Sequence, residues 1–287
     1  MSWPKGISTS LFEQQHLTVD QLQAATARGF ERVEIFALKP HFDYQNRQAT
    51  RTIASWLNDQ GPLLHSLHTP FCLDYQAGGC REWLSIGSPD RLKRERAIDH
   101  IRWSLEFCEL VPCNYAVVHM GAPEDRYSPR ILDAIYYSLD VLVPFAAARG
   151  VSLAMENIPN ELGEMERLLR FLEETGLRDV HICFDTGHAN LRGACAPEIK
   201  MGGESIATLH LHDNDGKKDS HLLPFEGTLD WTGVLEALET AKYSGPLVLE
   251  LKAQGKDPEH ILDLAFATFQ RFDRTLEELA DARSRED

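Results

Sequence analysis

The strongest constraint in this chain is a rhythm that runs its whole length. Short apolar stretches of strand character recur eight times, at residues 7–11, 31–36, 63–68, 115–120, 151–156, 180–185, 207–212 and 246–251. Between them lie stretches of helical period, the clearest at 91–110, 130–149, 161–175, 231–242 and 260–279. Strand and helix alternating from end to end imply right-handed βαβ units and a parallel sheet, because a parallel neighbour is reached only through a crossover. Eight such units within 287 residues fit a closed α/β architecture, the (β/α)8 TIM barrel, better than an open sheet. Local signals agree. Ser88-Pro89-Asp90 reads as a helix opening with a cap residue and Pro at the first position, and Ser128-Pro129 repeats the device. No linker rich in Pro, Gly or Ser divides the chain. Residues 1–287 are therefore expected to form a single TIM-barrel domain, with the charged segment from about 278 to 287 as a frayed tail.

Charge narrows the partners. Lys and Arg total 29 against 44 acidic residues, a formal net charge of −15. Affinity for a polyanion comes largely from basic groups neutralising phosphates, and the longest basic run is the short Arg91-Leu92-Lys93-Arg94 cluster. Nucleic acid is thus disfavoured, although bound cations would offset part of the charge. Met1-Ser2-Trp3-Pro4-Lys5-Gly6 lacks the apolar core of a signal peptide, and no apolar stretch approaches bilayer length, so a cytoplasmic location without membrane contact is the expectation. The six cysteines, at 72, 80, 108, 113, 183 and 195, contain no Cys-x-x-Cys pair, which favours reduced thiols over a disulfide scaffold or a thiolate zinc site.

Parallel barrels carry their chemistry at the carboxyl ends of the strands. Here the last six strands each deliver a His, Asp or Glu at the tip: His68, His119, Glu156, Asp185 followed by His188, His210 followed by Asp219 and His221, and Glu250. Side chains alternate along a strand, so Glu156 shares a face with Ala154 and Ser152, Glu250 with Val248, and His210 with Thr208. The intervening Leu209, Leu211, Leu249 and Leu251 then point outward beneath the helices. Carboxylates crowded into one narrow mouth repel unless a cation or proton intervenes. Together with imidazoles they suit a divalent ion such as Mn, Mg, Co or Zn. A lone His or Asp near a strand end is usually a hydrogen-bonded loop residue, and His65, His100, His181 and His260 read that way. His212 reads as a supporting group, and Glu34 fits either the mouth or a structural role.

These motifs resemble the xylose isomerase-like barrel superfamily, which includes sugar and sugar-phosphate isomerases and epimerases and the endonuclease IV family of DNA-repair enzymes. The likeness runs from the first strand to Glu250. It is carried by Met155-Glu156-Asn157, Phe184-Asp185-Thr186-Gly187-His188, His210-Leu211-His212-Asp213-Asn214, and Asp219-Ser220-His221 with Glu226-Gly227 downstream. In the epimerase branch the resemblance implies one metal held by Glu156, Asp185, His210 and Glu250, with the two glutamates doubling as acid and base on opposite substrate faces. In the endonuclease branch it implies a trinuclear zinc site that adds His68, His119, His188, Asp219 and His221.

Three functions follow as expectations. The first is isomerisation or epimerisation of a small carbohydrate, a sugar, sugar phosphate or related polyol carbonyl compound. It would proceed through an enediolate, with Glu156 and Glu250 catalytic and His188 and Lys217 holding substrate; dehydration by the same apparatus is a lyase variant. The second is hydrolysis of a phosphate ester, with an abasic nucleic acid as the extreme case. The third is a ligand-binding barrel that keeps the metal site as a relic. Specificity is expected in the loops at 39–47 and 71–86, which carry Phe42, Tyr44, Phe71, Tyr75 and Trp83. Barrels of this kind often pair, so a homo-oligomer is open, although no interface patch can be read.

Overall fold

The apolar runs become strands, with shifts at their ends that have local causes. In the computed structural model, which describes residues 3–76 and 79–286, the barrel strands are β1 (Lys5–Ser8), β2 (Arg32–Phe36), β3 (Leu63–His68) and β4 (Tyr115–His119). They continue as β5 (Ser152–Glu156), β6 (Val180–Asp185), β7 (Ile206–His210) and β8 (Leu247–Leu249). Their order is β8-β1-β2-β3-β4-β5-β6-β7, with parallel pairing throughout. Just past β7 the ring closes. Leu211 N–H donates to Val248 O at 2.8 Å and Glu250 N–H donates to Leu211 O at 3.1 Å, so the sheet is a (β/α)8 barrel.

The first strand stops earlier than its apolar run. The Ser8 hydroxyl accepts the N–H of Ser10, turning Thr9–Phe12 into a 3-10 turn that carries Ser10 and Glu13 over the mouth of the barrel. The surrounding helices are α1 (Val19–Ala27), α2 (Arg47–Asp59), α3 (Arg91–Leu105), α4 (Pro129–Ala147) and α5 (Met165–Thr175). They are followed by α6 (Thr186–Asn190), α7 (Cys195–Gly202), α8 (Trp231–Thr240) and α9 (Pro258–Glu286). Ser128 caps α4 with Pro129 in the first turn. In α3 the cap is Asp90 rather than Ser88, and Pro89 lies before the helix; the Asp90 carboxylate accepts both Leu92 and Lys93 N–H groups. Helix α9 continues through 278–286, where the charge pattern suggests fraying.

Leu209, Leu211, Leu249 and Leu251 are buried in the layer between barrel and helices, each worth about 1.5–3 kcal/mol of removed apolar surface. Inside the barrel the apolar filling is thin, Val117, Ala154 and Cys183 with Tyr115 against them. Above it the interior is polar. A register shift pairs Val33 with Leu64 but Glu34 with Ser66. Ser66 Oγ thereby donates to Glu34 at 2.7 Å, while His65 Nε2 lies 3.1 Å from Thr208 Oγ1.

The loop after β3 forms a lid over the carboxyl end. Tyr75–Gln76 pairs antiparallel with Gly79–Cys80, and Cys72 is disulfide-bonded to Cys80. This corrects the expectation of reduced thiols throughout: the hairpin folds the chain back and brings together two cysteines whose spacing alone gives no such sign. Cys108, Cys113, Cys183 and Cys195 are free and buried. Among the described residues no helix is long and apolar enough to cross a membrane.

Two buried histidines tie stability to pH. Burial pushes both His41 and His65 down to about 4. A folded-state value below the unfolded one, about 6.5, means the chain gains stability from neutral histidine above that value and loses it as pH falls through about 4. The urea midpoint is expected to drop between pH 6.5 and 4. The drop should be smaller in His41→Asn, whose amide can still donate to the Gln15 carbonyl that His41 Nδ1 meets at 2.7 Å. An unchanged acid limb would refute the assignment.

Candidate metal centre

The motif at the end of β5 begins with Glu156, 1% exposed, at the hub of the polar ring. Its Oε2 lies 3.0 Å from His119 Nε2 and 3.2 Å from His68 Nε2. Its Oε1 lies 3.3 Å from His188 Nδ1 and 3.4 Å from His210 Nδ1. The next residue, Asn157, donates from Nδ2 to Asp185 O and accepts Asp185 N–H, clamping the tip of β6 to β5.

Asp185 faces two ways. Oδ1 accepts His188 N–H at 2.6 Å and caps α6, while Oδ2 lies 3.0 Å from His212 Nε2. Thr186 Oγ1 accepts His212 N–H at 3.1 Å, fixing β7 against β6. Gly187 is dictated by close approach: a Cβ there would sit 1.9 Å from His212 Cε1. Asp213 turns away from the ring. It accepts the N–H groups of Phe225 and Leu229 and the indole N–H of Trp231, and so ties down the loop that carries Asp219 and His221. His221 takes a φ of +46°, a left-handed conformation that a non-glycine residue adopts at some cost and that packing must hold.

Among the described residues, four sets of donor atoms lie mutually within 4.8 Å: Glu156, Asp185, His210 and Glu250; His68, His119 and Glu156; His188, His212, Asp219 and His221; and His68, His210 and Glu250. Mixed imidazole and carboxylate sets suit a borderline or hard divalent cation. Buried atoms with no hydrogen-bond partner among the described residues include His188 Nδ1 and Asp219 Oδ1, as expected of ligand atoms whose natural partner is an ion. The residues present fit a divalent metal. Behind them, Glu34 is fully buried and lies 3.0 Å from His210 Nε2, leaving Nδ1 to face Glu156 and Glu250.

Electrostatics point the same way. Burial opposes ionisation of Glu156 and Asp185, yet the surrounding imidazoles hold both below the usual carboxylate range. Burial likewise opposes charging of His210 and His188, but adjoining carboxylates raise both. Glu34 is held at about 2, burial being outweighed by His210.

Every ligand candidate read from the sequence, His68, His119, Glu156, Asp185, His188, His210, Asp219, His221 and Glu250, lies in one of these sets. Seven of them, His68, His119, Glu156, His188, Asp219, His221 and Glu250, line a single pocket of about 250 Å3. Lys217 is different: it is exposed in the loop after β7 and is absent from the pocket lining. The cation that reaches the pocket is Lys252, just past β8, which no sequence pattern singled out. His212, read as a supporting group, belongs to a donor set. The aromatics also divide. Phe71, Tyr75 and Trp83 line the pocket, with Phe71 stacked on His119 at 4.5 Å. Phe42 packs on Phe107, and Tyr44 Oη lies 2.6 Å from His100 Nδ1.

Residues 22–272 match the family model described as xylose isomerase-like TIM barrel. The chain belongs to that family. An uncharacterised protein, MJ1311, of Methanocaldococcus jannaschii is 28% identical over 86% of this chain and 83% of its own length. A D-psicose 3-epimerase of Enterocloster bolteae is 31% identical over 31% of this chain and 28% of its own. A probable endonuclease 4 of Aquifex aeolicus is 23% identical over 62% and 71%. Among solved structures, a D-tagatose 3-epimerase-like protein superposes with a TM-score of 0.76 at 23% identity, covering 96% of this chain and 99% of that one. An L-ribulose 3-epimerase gives 0.77 at 17%, covering 99% and 98%. These structural likenesses carry the fold.

Two outcomes follow for the centre. Chelation should lower Tm, and more at pH 8 than at pH 6, because ions bind deprotonated imidazoles and protons compete below neutrality. Gly187→Ala should displace His212, costing about 1–3 kcal/mol of stability and about 10–100-fold in metal affinity. Elemental analysis and calorimetric titration with Mn2+ or Zn2+ check both, and native affinity in the Ala variant would contradict the packing argument.

Proposed function

We propose that this chain is a divalent-metal-dependent isomerase or epimerase of a small polyhydroxy carbonyl compound. One observation carries the reading: Glu156 at the end of β5 and Glu250 just past β8 share a donor set with Asp185 and His210, and both line the covered pocket. A cation held by that set would supply Lewis-acid polarisation of a carbonyl and its adjacent hydroxyl. One glutamate then takes the proton from the carbon next to the carbonyl. The C–H electron pair becomes the C=C of an enediolate, and the carbonyl π pair moves onto oxygen. The other glutamate returns a proton to the opposite face or the neighbouring carbon. His188, with Nδ1 turned inward, steadies the substrate oxygens, and the Phe71–Trp83 stack excludes water from the carbanion-like stage. The epimerase names among the relatives and neighbours support this reading.

Glu250→Gln should retain the fold and reduce exchange of the carbon-bound proton of a ketose with deuterated solvent by at least about 100-fold. Metal content is measured alongside, since Glu250 is also a ligand candidate. Wild-type exchange in the variant would remove the proposed role.

A specific observation favours a second reading. Glu156 offers one oxygen to the His68–His119 set and the other to the His210 side, and a third set lies beside it. Were these sets each to hold an ion, Glu156 would contribute to more than one of them, and such a cluster would supply the charge neutralisation that hydrolysis of a phosphate ester needs. Two or three tightly held ions per chain with cleavage of an abasic duplex would establish that reading. One ion and no cleavage would retire it.

A further inference from the structure

The metal centre occupies the side of the pocket reached from β3 to β8, but the pocket continues past it. Where β1 and β8 lie side by side, three polar side chains that the proposed proton transfer does not use line the same cavity: Glu13 after the 3-10 turn, Lys252 after β8, and Tyr75 from the lid. Three unconnected segments converge there. The Tyr75 hydroxyl donates weakly to Glu13 Oε1 at 3.5 Å. Glu13 Oε2 is buried without a hydrogen-bond partner among the described residues. The Lys252 ammonium forms no ion pair and donates to no protein oxygen among the described residues. A carboxylate oxygen, a phenol and an ammonium, each with unused hydrogen-bonding capacity, face a cavity they do not fill themselves.

We infer that Glu13, Tyr75 and Lys252 form a subsite for the end of the substrate remote from the metal, and that this end is an uncharged polyol rather than a phosphate ester. The proposal rests on the isomerase reading above and narrows its substrate class. Hydroxyl groups are both donors and acceptors, so one can donate to Glu13 Oε2 while accepting from Lys252. A phosphate dianion cannot donate. It would leave the buried Glu13 oxygen unmatched and would meet like charge from Glu13. Among the described lining residues Lys252 is the only Lys or Arg, so a phosphate would meet a single ammonium with the Glu13 carboxylate beside it and no forked guanidinium. The cavity of about 250 Å3 lies below the usual range of about 300–1,000 Å3 for ligand pockets, which limits the occupant to one small molecule.

The test uses the full chain loaded with Mn2+, with fructose and fructose 6-phosphate as probes. Binding is followed by calorimetry and by the fluorescence of Trp83 in the lid, and deuterium exchange at carbon is followed separately. Fructose is expected to bind at least tenfold more tightly than its phosphate. Glu13→Gln and Lys252→Met should each weaken fructose binding or raise KM about tenfold while changing kcat less than threefold. Tyr75→Phe should have a smaller effect in the same direction. Tighter binding of the phosphate, or variants that leave the preference and affinity unchanged, would overturn the subsite, as would failure of both probes to bind. Variant-sensitive binding of fructose with no carbon-bound exchange would uphold the subsite and count instead against the isomerase reading. Circular dichroism and metal content of each variant separate loss of the subsite from loss of the fold.

Discussion

Glu156 is the carboxylate on which this structure turns. Withdrawn from water at the top of β5, it faces imidazoles from β3, β4, α6 and β7, and its charge is sustained only because those rings surround it. In a medium of low polarisability, an ionised carboxylate left alone would take up a proton, and an imidazole left alone would stay neutral. Each group here raises the cost of removing another. A shared cation would satisfy all of them at once, so the same residues that make the interior costly to bury also suit it to hold a divalent ion.

Around that hub the fold supplies rigidity more than chemistry. Asn157 ties β5 to β6, Thr186 ties β6 to β7, and Glu34 turns the His210 ring so that one nitrogen remains for the centre. Asp213, part of the His210–Asn214 motif, spends both oxygens on the backbone and indole of the segment at 225–231. Ligands mounted on strand tips and held by outer hydrogen bonds keep their geometry better than loop residues do. The thin Val117–Ala154–Cys183 layer beneath leaves the depth the ring occupies.

The lid changes what the centre can do. A bare ring of donors at a barrel mouth would bathe its ions in solvent. Here Phe71 stacks on His119, Trp83 stacks on Phe71, and the Cys72–Cys80 link holds the hairpin that carries Tyr75. Aromatic faces together with the unpaired polar groups of Glu13 and Lys252 give the cavity both apolar and polar lining. That mixture suits a sugar, whose C–H faces and hydroxyls have separate demands.

Much of this was legible in the chain itself. The alternation of strand-like and helix-like stretches fixed a parallel barrel, because only crossovers join parallel neighbours. The period of two along the strands separated inward Glu156, His210 and Glu250 from outward Leu209, Leu211, Leu249 and Leu251. Residue type at the strand tips pointed to clustered metal-ligating side chains, since crowded carboxylates repel without a cation or proton between them. What only the tertiary structure decided was proximity across segments that local patterns do not connect. The register shift at Glu34, the place of His212 in a donor set, the pairing of Cys72 with Cys80 and the choice of Lys252 over Lys217 as the pocket's cation all depend on how barrel closure and a long loop bring distant residues together. Periodicity says which way a side chain points, but not what it meets there.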